Sequence, residues 1–148
     1  DREREVPAAE FFLDTFTTAI EPTEVLTEIR FPAPQPGSGS AYAKLERKAG
    51  DFASVGVAVQ LLVADGRIAA AGIGLTAVSD SPFTAVDAEA ALVDQVPSEE
   101  AFRAAGAAAA ADTYPTADSH GPADYKRAMA AEMTVRALRL AVQRAMGR

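Results

Sequence analysis

The feature that most constrains the fold is an alternating apolar run that ends in a tight-turn signal. Residues 54–63 read SVGVAVQLLV, where every second side chain is a large aliphatic one, as in a strand with one buried face. The dipeptide Asp65-Gly66 follows, and it favours the two-residue loop of a β-hairpin. Residues 68–78 supply a second apolar strand. The sequence therefore predicts an antiparallel hairpin.

A two-residue loop also fixes which residues of the hairpin face each other. It places Val59 opposite Gly72 and Val57 opposite Gly74, so that large side chains face small ones. We expect such a hairpin to be covered closely by other elements. Residues 41–47 alternate as well, and they predict a third antiparallel strand ahead of the hairpin.

Helical patterns follow the strands. Residues 86–95 predict a short helix, and Ser98 precedes two glutamates as an N-cap precedes the first turn of a second, alanine-rich helix. A third and longest helix is predicted from about residue 123 to residue 146. Because the predicted strands precede the predicted helices, the sequence indicates the α+β class, with a small three-stranded antiparallel sheet packed with a C-terminal helical layer.

The first 40 residues have a different composition. Residues 25–31 alternate and predict a further strand. Residues 32–40 read PAPQPGSGS, which is typical of a linker that is stiff and then flexible. The sequence therefore predicts a boundary between two structural units in this stretch.

Composition excludes several classes of function. A net charge of −7 disfavours binding to nucleic acid, which depends on cationic contacts to phosphate. The chain has no Cys, and its single histidine, His120, gives neither a zinc ligand set nor a catalytic triad. No apolar run is long enough to predict a transmembrane segment. We assign no catalytic and no metal-binding residue, and a free-standing hydrolase is disfavoured.

One stretch between two predicted strands is unexpectedly polar. Lys44 lies in the first strand, Arg47 and Lys48 follow at its end, and Asp51 comes after Gly50. The stretch is either an edge loop of solvated charges or a lip that positions a polar ligand. As a lip, it would offer cations to carbonyl or phosphate oxygens and an acid as an acceptor.

Four separated blocks of the chain resemble the flavin-binding medium subunit of the molybdenum hydroxylases, the carbon monoxide dehydrogenase and xanthine dehydrogenase type. The blocks are EFFLDTFTTAIEPTEVLTEIRFP, AYAKLERKAGDFASVGVAV, IAAAGIGLTAVSDSPFTAVDAEAAL and ADYKRAMAAEMTVRAL. The resemblance implies that residues 1–36 are the C-terminal end of an FAD-binding domain plus a linker. It implies that residues 37–148 are the C-terminal domain of the flavoprotein.

The resemblance also implies a function. Such a subunit binds FAD, takes electrons from [2Fe-2S] clusters and passes them to an external acceptor. Its partners are an iron-sulfur small subunit and a molybdopterin large subunit, in a dimer of heterotrimers. The expected location is cytoplasmic, with the inner face of the membrane as an alternative site within that compartment. The glycine-rich segments that hold the FAD diphosphate lie upstream in this family, so we expect residues 1–148 alone to be inactive.

Three positions carry over from the family as cofactor-binding residues. Leu26 corresponds to an apolar wall for the flavin ring, Lys44 to a cation at its carbonyl edge, and Asp51 to an acid on the neighbouring loop. Gly50 and Phe52 depart from the acids that xanthine dehydrogenases carry, which disfavours an NAD site. The alternative is a non-enzymatic module for subunit interaction, with no direct cofactor contact.

Overall fold

The computed structural model of the chain describes residues 2–147, so Asp1 and Arg148, the outer ends of the two predicted units, lie outside the described residues. In chain order the elements are a 3-10 turn Ala8–Glu10, strands β1 Phe12–Asp14, β2 Thr17–Thr18, β3 Ser38–Leu45, β4 Val55–Ala64, β5 Arg67–Thr76 and β6 Phe83–Thr84, and helices α1 Val86–Ala90, α2 Glu99–Ala111 and α3 Ala123–Ala145. Antiparallel strands followed by a C-terminal helical layer confirm the mixed α and β character.

The sheet is larger than the predicted three strands. Strands β3, β4, β5 and β6 form one four-stranded antiparallel sheet in that order, and β1 pairs with β2 in a separate two-stranded sheet. The prediction of a three-stranded sheet was therefore wrong in strand number. Strand β6 holds only Phe83 and Thr84 and follows a Pro-containing turn, which is too short for an alternating pattern.

The Asp-Gly turn of the hairpin is confirmed. Asp65 has φ +51° and Gly66 has φ +76°, the two positive values of a type I′ turn. Ala64 pairs with Arg67 on either side of it.

The predicted register beyond the turn was wrong because β5 contains a bulge. Val59 pairs with Ile73 and Val57 with Leu75, after a shift in pairing beyond Leu62. A one-residue shift exchanges the two faces of a strand. The bulge thus brings Ile73 and Leu75 onto the core face with the valines, where all four are at most 3% exposed. The glycines of β5 consequently lie on the opposite face of the sheet.

Residues 25–31 do not form the predicted strand. The chain has no regular secondary structure from residue 24 to residue 35. A strand requires backbone hydrogen bonds to a neighbouring strand, and within residues 2–147 none pairs with this segment. Its alternating apolar side chains therefore stay outside the core: Val25 is 81% exposed and Phe31 83%.

The helices cover one face of the four-stranded sheet. Helix α3 packs across β3 and β4, α2 packs on α3, and α1 contacts both α2 and β5. The alanine-rich helix α2 approaches α3 closely, since a Cβ on Gly106 would lie 2.8 Å from the carbonyl oxygen of Ala131. The largest fully buried apolar side chains of this core are Val55, Val57, Leu61, Ile68, Ile73, Leu75, Val78, Leu92 and Leu138.

Part of the predicted linker is sheet. Strand β3 begins at Ser38, three residues before the predicted strand, and Gly39 is buried beneath α3. The Gly-Ser composition that indicates flexibility here instead allows a strand to touch a helix backbone.

The N-cap of α2 gives a first testable prediction. Ser98 Oγ accepts a hydrogen bond of 3.2 Å from the backbone N–H of Ala101. We expect Ser98→Ala to lower the free energy of unfolding by about 1 kcal/mol, because that N–H loses its partner. Urea unfolding followed by circular dichroism measures the change. Ser98→Asn keeps a capping oxygen and should be nearly neutral; equal losses in both variants would contradict the capping role.

Candidate functional site

The candidate site lies where β3 ends and the chain turns before β4. We call residues 46–53 the lip loop. The backbone N–H of Ser54 donates to the carbonyl oxygen of Leu45 (2.8 Å) and closes the loop. Within the loop, the N–H of Asp51 donates to the carbonyl oxygen of Lys48 (3.1 Å). Gly50 has φ +82°, a left-handed conformation that glycine adopts without strain. The glycine of the polar stretch therefore allows the turn of the lip loop.

Lys44 points its ammonium across the mouth of the lip loop. Its Nζ lies 2.5 Å from Oε2 of Glu46 and donates to the carbonyl oxygen of Asp51 at 2.7 Å. Its side chain is 31% exposed. An ammonium has three hydrogens, and these contacts within the described residues engage two of them. The third hydrogen is available to a ligand.

Lys44 lies on the outer face of the sheet, which we define as the face opposite the helices. Tyr42 shares this face and covers Gly56: a Cβ on Gly56 would lie 2.9 Å from the Tyr42 hydroxyl. Further along, Ala58, Gly72 and Gly74 line a shallow depression of this face. Tyr42 also lines this depression, whereas Lys44 lies outside it.

The carboxylate of Asp51 points away from Lys44, towards the loop between α2 and α3. Its Oδ1 accepts a hydrogen bond of 2.9 Å from the N–H of Phe52 and lies 3.7 Å from Nε2 of His120. A second link joins the loops, since Arg47 Nη1 donates to the carbonyl oxygen of Ser119 at 3.1 Å. The lip loop therefore contacts residues 113–122 at two points, and the Arg47 contact is a hydrogen bond.

A buried cation anchors residues 113–122. Lys126 of α3 is 3% exposed, and its Nζ lies 2.7 Å from Asp118 Oδ2 and donates to the Thr116 carbonyl oxygen at 3.0 Å. The hydrogen bond from Lys126 holds the pKa of the Asp118 carboxyl below its usual range, and that from the N–H of His120 lowers it further. This stabilisation is present above the unfolded pKa of Asp118 and is lost as pH falls through the lowered value.

Comparison with known proteins assigns the chain. The family described as CO dehydrogenase flavoprotein C-terminal domain matches residues 40–141. The chain belongs to this family. The carbon monoxide dehydrogenase medium chain of Afipia carboxidovorans is 43% identical over 145 residues, which are 98% of this chain and 49% of the relative. That of Hydrogenophaga pseudoflava is 42% identical over 138 residues, 93% of this chain and 48% of the relative.

A solved structure agrees with the sequence relatives of this flavoprotein domain. Carbon monoxide dehydrogenase from Hydrogenophaga pseudoflava, lacking the Mo-pyranopterin moiety of the molybdenum cofactor, aligns with a TM-score of 0.93 at 46% identity. The alignment covers 95% of this chain and 49% of that chain. The chain thus spans about half the length of the relatives it matches.

Of the three residues predicted to bind the cofactor, the structure brings two together. Lys44 and Asp51 are in direct contact, but through the backbone carbonyl of Asp51 rather than its carboxylate. Leu26 lies in the unpaired segment and is 50% exposed, and within residues 2–147 no hydrogen bond joins it to the lip loop.

Two members of the site received no role from the sequence. Glu46 is two residues after Lys44, so strand alternation predicts that their side chains share a face. That signal could have suggested the ion pair. His120 is 69 residues from Asp51, and no local pattern connects them, so only the packing of the two loops reveals their contact.

Two negative findings apply to this flavoprotein domain. In residues 2–147, no three His, Asp or Glu side chains gather closely enough to hold a metal ion. Over the same range, no helix combines the length and the apolar character needed to cross a bilayer.

Proposed function

We propose that this chain is the C-terminal half of the FAD-binding medium subunit of a molybdenum hydroxylase, with residues 1–36 ending the FAD-binding domain and residues 37–148 forming the domain after it. The bound FAD would take electrons from iron-sulfur clusters and pass them to an external acceptor. The observation that carries the proposal is the Lys44 ammonium, held at an open face of a domain of the flavoprotein family.

The proposed subunit assembly is based on the names of the relatives. Their names are those of medium chains of carbon monoxide dehydrogenase, and one solved relative is described as lacking the Mo-pyranopterin moiety of the molybdenum cofactor. We therefore propose an iron-sulfur small subunit and a molybdopterin large subunit as partners, in a dimer of heterotrimers. The proposed location is cytoplasmic. The substrate would be chosen by the molybdenum subunit.

The residues present fit a flavin at this site. An isoalloxazine is flat and has carbonyl oxygens along one edge, where negative charge collects on reduction. Lys44 offers a free ammonium hydrogen on the outer face of the sheet, and its position is fixed by Glu46 and by the Asp51 carbonyl. In this proposal Lys44 binds the carbonyl edge, Asp51 positions Lys44, and Leu26 supplies an apolar wall.

Glu46 sets the strength of the Lys44 interaction. Its carboxylate at 2.5 Å neutralises part of the ammonium charge in the absence of a ligand. Lys44 would therefore divide its charge between Glu46 and the carbonyl edge of a bound flavin. Lys44 would therefore favour the reduced cofactor, although Glu46 already neutralises part of its charge.

The test is Lys44→Glu in the intact, FAD-loaded subunit. Reversing the charge should lower the flavin reduction potential and weaken FAD retention, because the reduced ring loses its cation. For a partly exposed charge, we expect an effect of about 1–3 kcal/mol, or roughly 20–60 mV for a two-electron couple. Spectroelectrochemical titration and FAD content per polypeptide measure the two effects.

Lys48→Glu is the matched control for this test. Lys48 is an exposed residue of the same lip loop, and its replacement makes the same change in net charge. We expect its potential and FAD content to stay near those of the unchanged protein. Equal shifts in both variants, or no shift in Lys44→Glu, would reject the role of Lys44.

A further inference from the structure

The lip loop carries two neighbouring cations, Arg47 and Lys48, and the structure gives them different surroundings. Both residues are exposed. Nη1 of Arg47 donates a hydrogen bond of 3.1 Å to the carbonyl oxygen of Ser119, in the loop between α2 and α3. Among the residues that the structure describes, the side chain of Lys48 makes no such contact. Of the two cations, Arg47 is therefore the one that links the lip loop to another part of the domain.

Arg47 and Lys44 act from different sides of the sheet. Lys44 lies on the outer face, whereas Leu45 next to it packs against the core between sheet and helices. Arg47 follows two residues after Leu45, and its guanidinium reaches the loop that joins the two long helices. Within residues 2–147, no hydrogen bond or ion pair joins Arg47 to Lys44 directly. The Arg47 contact can thus influence Lys44 only through the backbone of the lip loop.

The acceptor of the Arg47 hydrogen bond lies in a firmly held turn. Two backbone hydrogen bonds between Asp118 and Gly121, of 3.2 and 3.1 Å, close the turn around Ser119. The carboxylate of Asp118 is bound at 2.7 Å by the ammonium of Lys126, which is 3% exposed. Lys126 belongs to α3, the helix that packs on β3 and β4. The Ser119 carbonyl oxygen is therefore tied to the core independently of Arg47, so the guanidinium meets a preorganised partner.

The tip of the lip loop has little else to hold it. The hydrogen bond from Ser54 to Leu45 closes the base of the loop and leaves the tip unconstrained. The carboxylate of Asp51 is 3.7 Å from His120, which is longer than a hydrogen bond. Among the described residues, the bond from Arg47 is thus the one hydrogen bond between the lip loop and residues 113–122.

We infer that Arg47 is a positioning residue, which ties the lip loop to the anchored turn 118–121 and thereby holds the Asp51 carbonyl oxygen in place for Lys44. That oxygen accepts from the Lys44 ammonium at 2.7 Å. The contacts thus run from the buried ammonium of Lys126, through the turn, to Arg47 and along the lip loop. The consequence for a flavin rests on the proposed function.

Loss of the Arg47 bond would change how the Lys44 ammonium is held. Glu46 precedes the tip of the loop and would stay at 2.5 Å, whereas the Asp51 carbonyl would move with the released tip. The ammonium would then depend on Glu46, whose carboxylate neutralises part of its charge. A flavin at Lys44 would meet a weaker cation, so the effect has the same direction as removal of Lys44 and a smaller size.

The first arm of the test measures amide hydrogen exchange of the lip loop in the intact subunit, at one fixed pH. We expect Arg47→Met, which keeps the length of the side chain but removes its donors, to speed exchange of the Asp51 and Ser54 amides about 2- to 10-fold, as for the loss of one hydrogen bond. Lys48→Met is the matched control, because it makes the same change in charge on the same exposed loop. It should leave the exchange near that of the unchanged protein.

The second arm measures the flavin reduction potential in the FAD-loaded subunit as a double-mutant cycle. Lys44→Met should lower the potential, and Arg47→Met should lower it by a smaller amount. Combined with Lys44→Met, the Arg47→Met change should add nothing further, because its effect passes through Lys44. Lys48→Met should leave the potential near its original value, which separates positioning from the loss of a nearby charge.

Each outcome decides between the inference and its alternatives. Equal exchange in Arg47→Met and Lys48→Met, or faster exchange without a change in potential, would overturn the inference. It would also fail if Arg47→Met lowered the potential equally with and without Lys44, since Arg47 would then act as a charge of its own. If only Lys44→Met shifts the potential and exchange is unchanged, the proposed function stands alone. If Lys44→Met has no effect on the potential while Arg47→Met still speeds exchange, the proposed function fails and the hold of Arg47 on the lip loop stands.

Discussion

Gly39→Ala is expected to destabilise the fold by about 3 kcal/mol or more, although it adds one methyl group. A Cβ at this position would lie 2.0 Å from the carbonyl oxygen of Ala141 and 2.4 Å from the backbone nitrogen of Ala145. Both atoms belong to the backbone of α3, so no side-chain rotation relieves the clash. The helix would have to move away from β3, and the packing of the last turns of α3 on the sheet would be lost with it.

The same sheet offers a matched control for this prediction. Gly72 lies on the outer face, where a Cβ would have Gln60 oxygen as its nearest neighbour at 3.9 Å, an ordinary contact. We expect Gly72→Ala to change the free energy of unfolding by less than about 0.5 kcal/mol. Thermal unfolding of both variants gives the comparison, with a drop of roughly 6–12 °C for Gly39→Ala. Similar melting temperatures would show that α3 does not rest on β3 as closely as described.

Gly39 also illustrates what the sequence could predict of this fold. The hairpin was predictable because alternation and an Asp-Gly turn are local signals. The requirement for glycine at position 39 is set by a helix about 100 residues later in the chain, so composition alone indicated a linker. Strand β6 was missed because its two residues are too few to show an alternating pattern. The bulge in β5 is explained only by the need to bury Ile73 and Leu75 on the core face.

The candidate site, too, was predictable from the sequence only in part. The polar stretch from Lys44 to Asp51 could be singled out from the sequence because charges interrupt a strand pattern. Its role depended on resemblance, and its geometry depended on the fold. The contact of Asp51 with His120 joins two loops that no local rule connects. The contact between the two loops was therefore the part of the site least visible in the sequence.

Leu138→Ala is the second large effect that we expect, with a loss of about 2–5 kcal/mol in the free energy of unfolding. Leu138 is fully buried in α3, the helix that contacts both β3 and β4 on one side and α2 on another. Truncation removes apolar contacts and leaves a cavity between the sheet and two helices. Because α2 contributes mainly alanines to this core, with Phe102 as its one large buried side chain, few side chains could move to fill the space.

Leu140→Ala provides the control two residues further along the same helix. Leu140 is 37% exposed, so its truncation removes less buried surface, and water can occupy much of the space that it leaves. We expect a loss of about 1 kcal/mol or less, with the same change in helix propensity as in Leu138→Ala. Urea unfolding at one pH separates the two values. If the two losses were equal, intrinsic helix propensity would explain them, and the core between the sheet, α2 and α3 would not depend on Leu138. A difference of several-fold would instead show that the core between the sheet, α2 and α3 depends on Leu138.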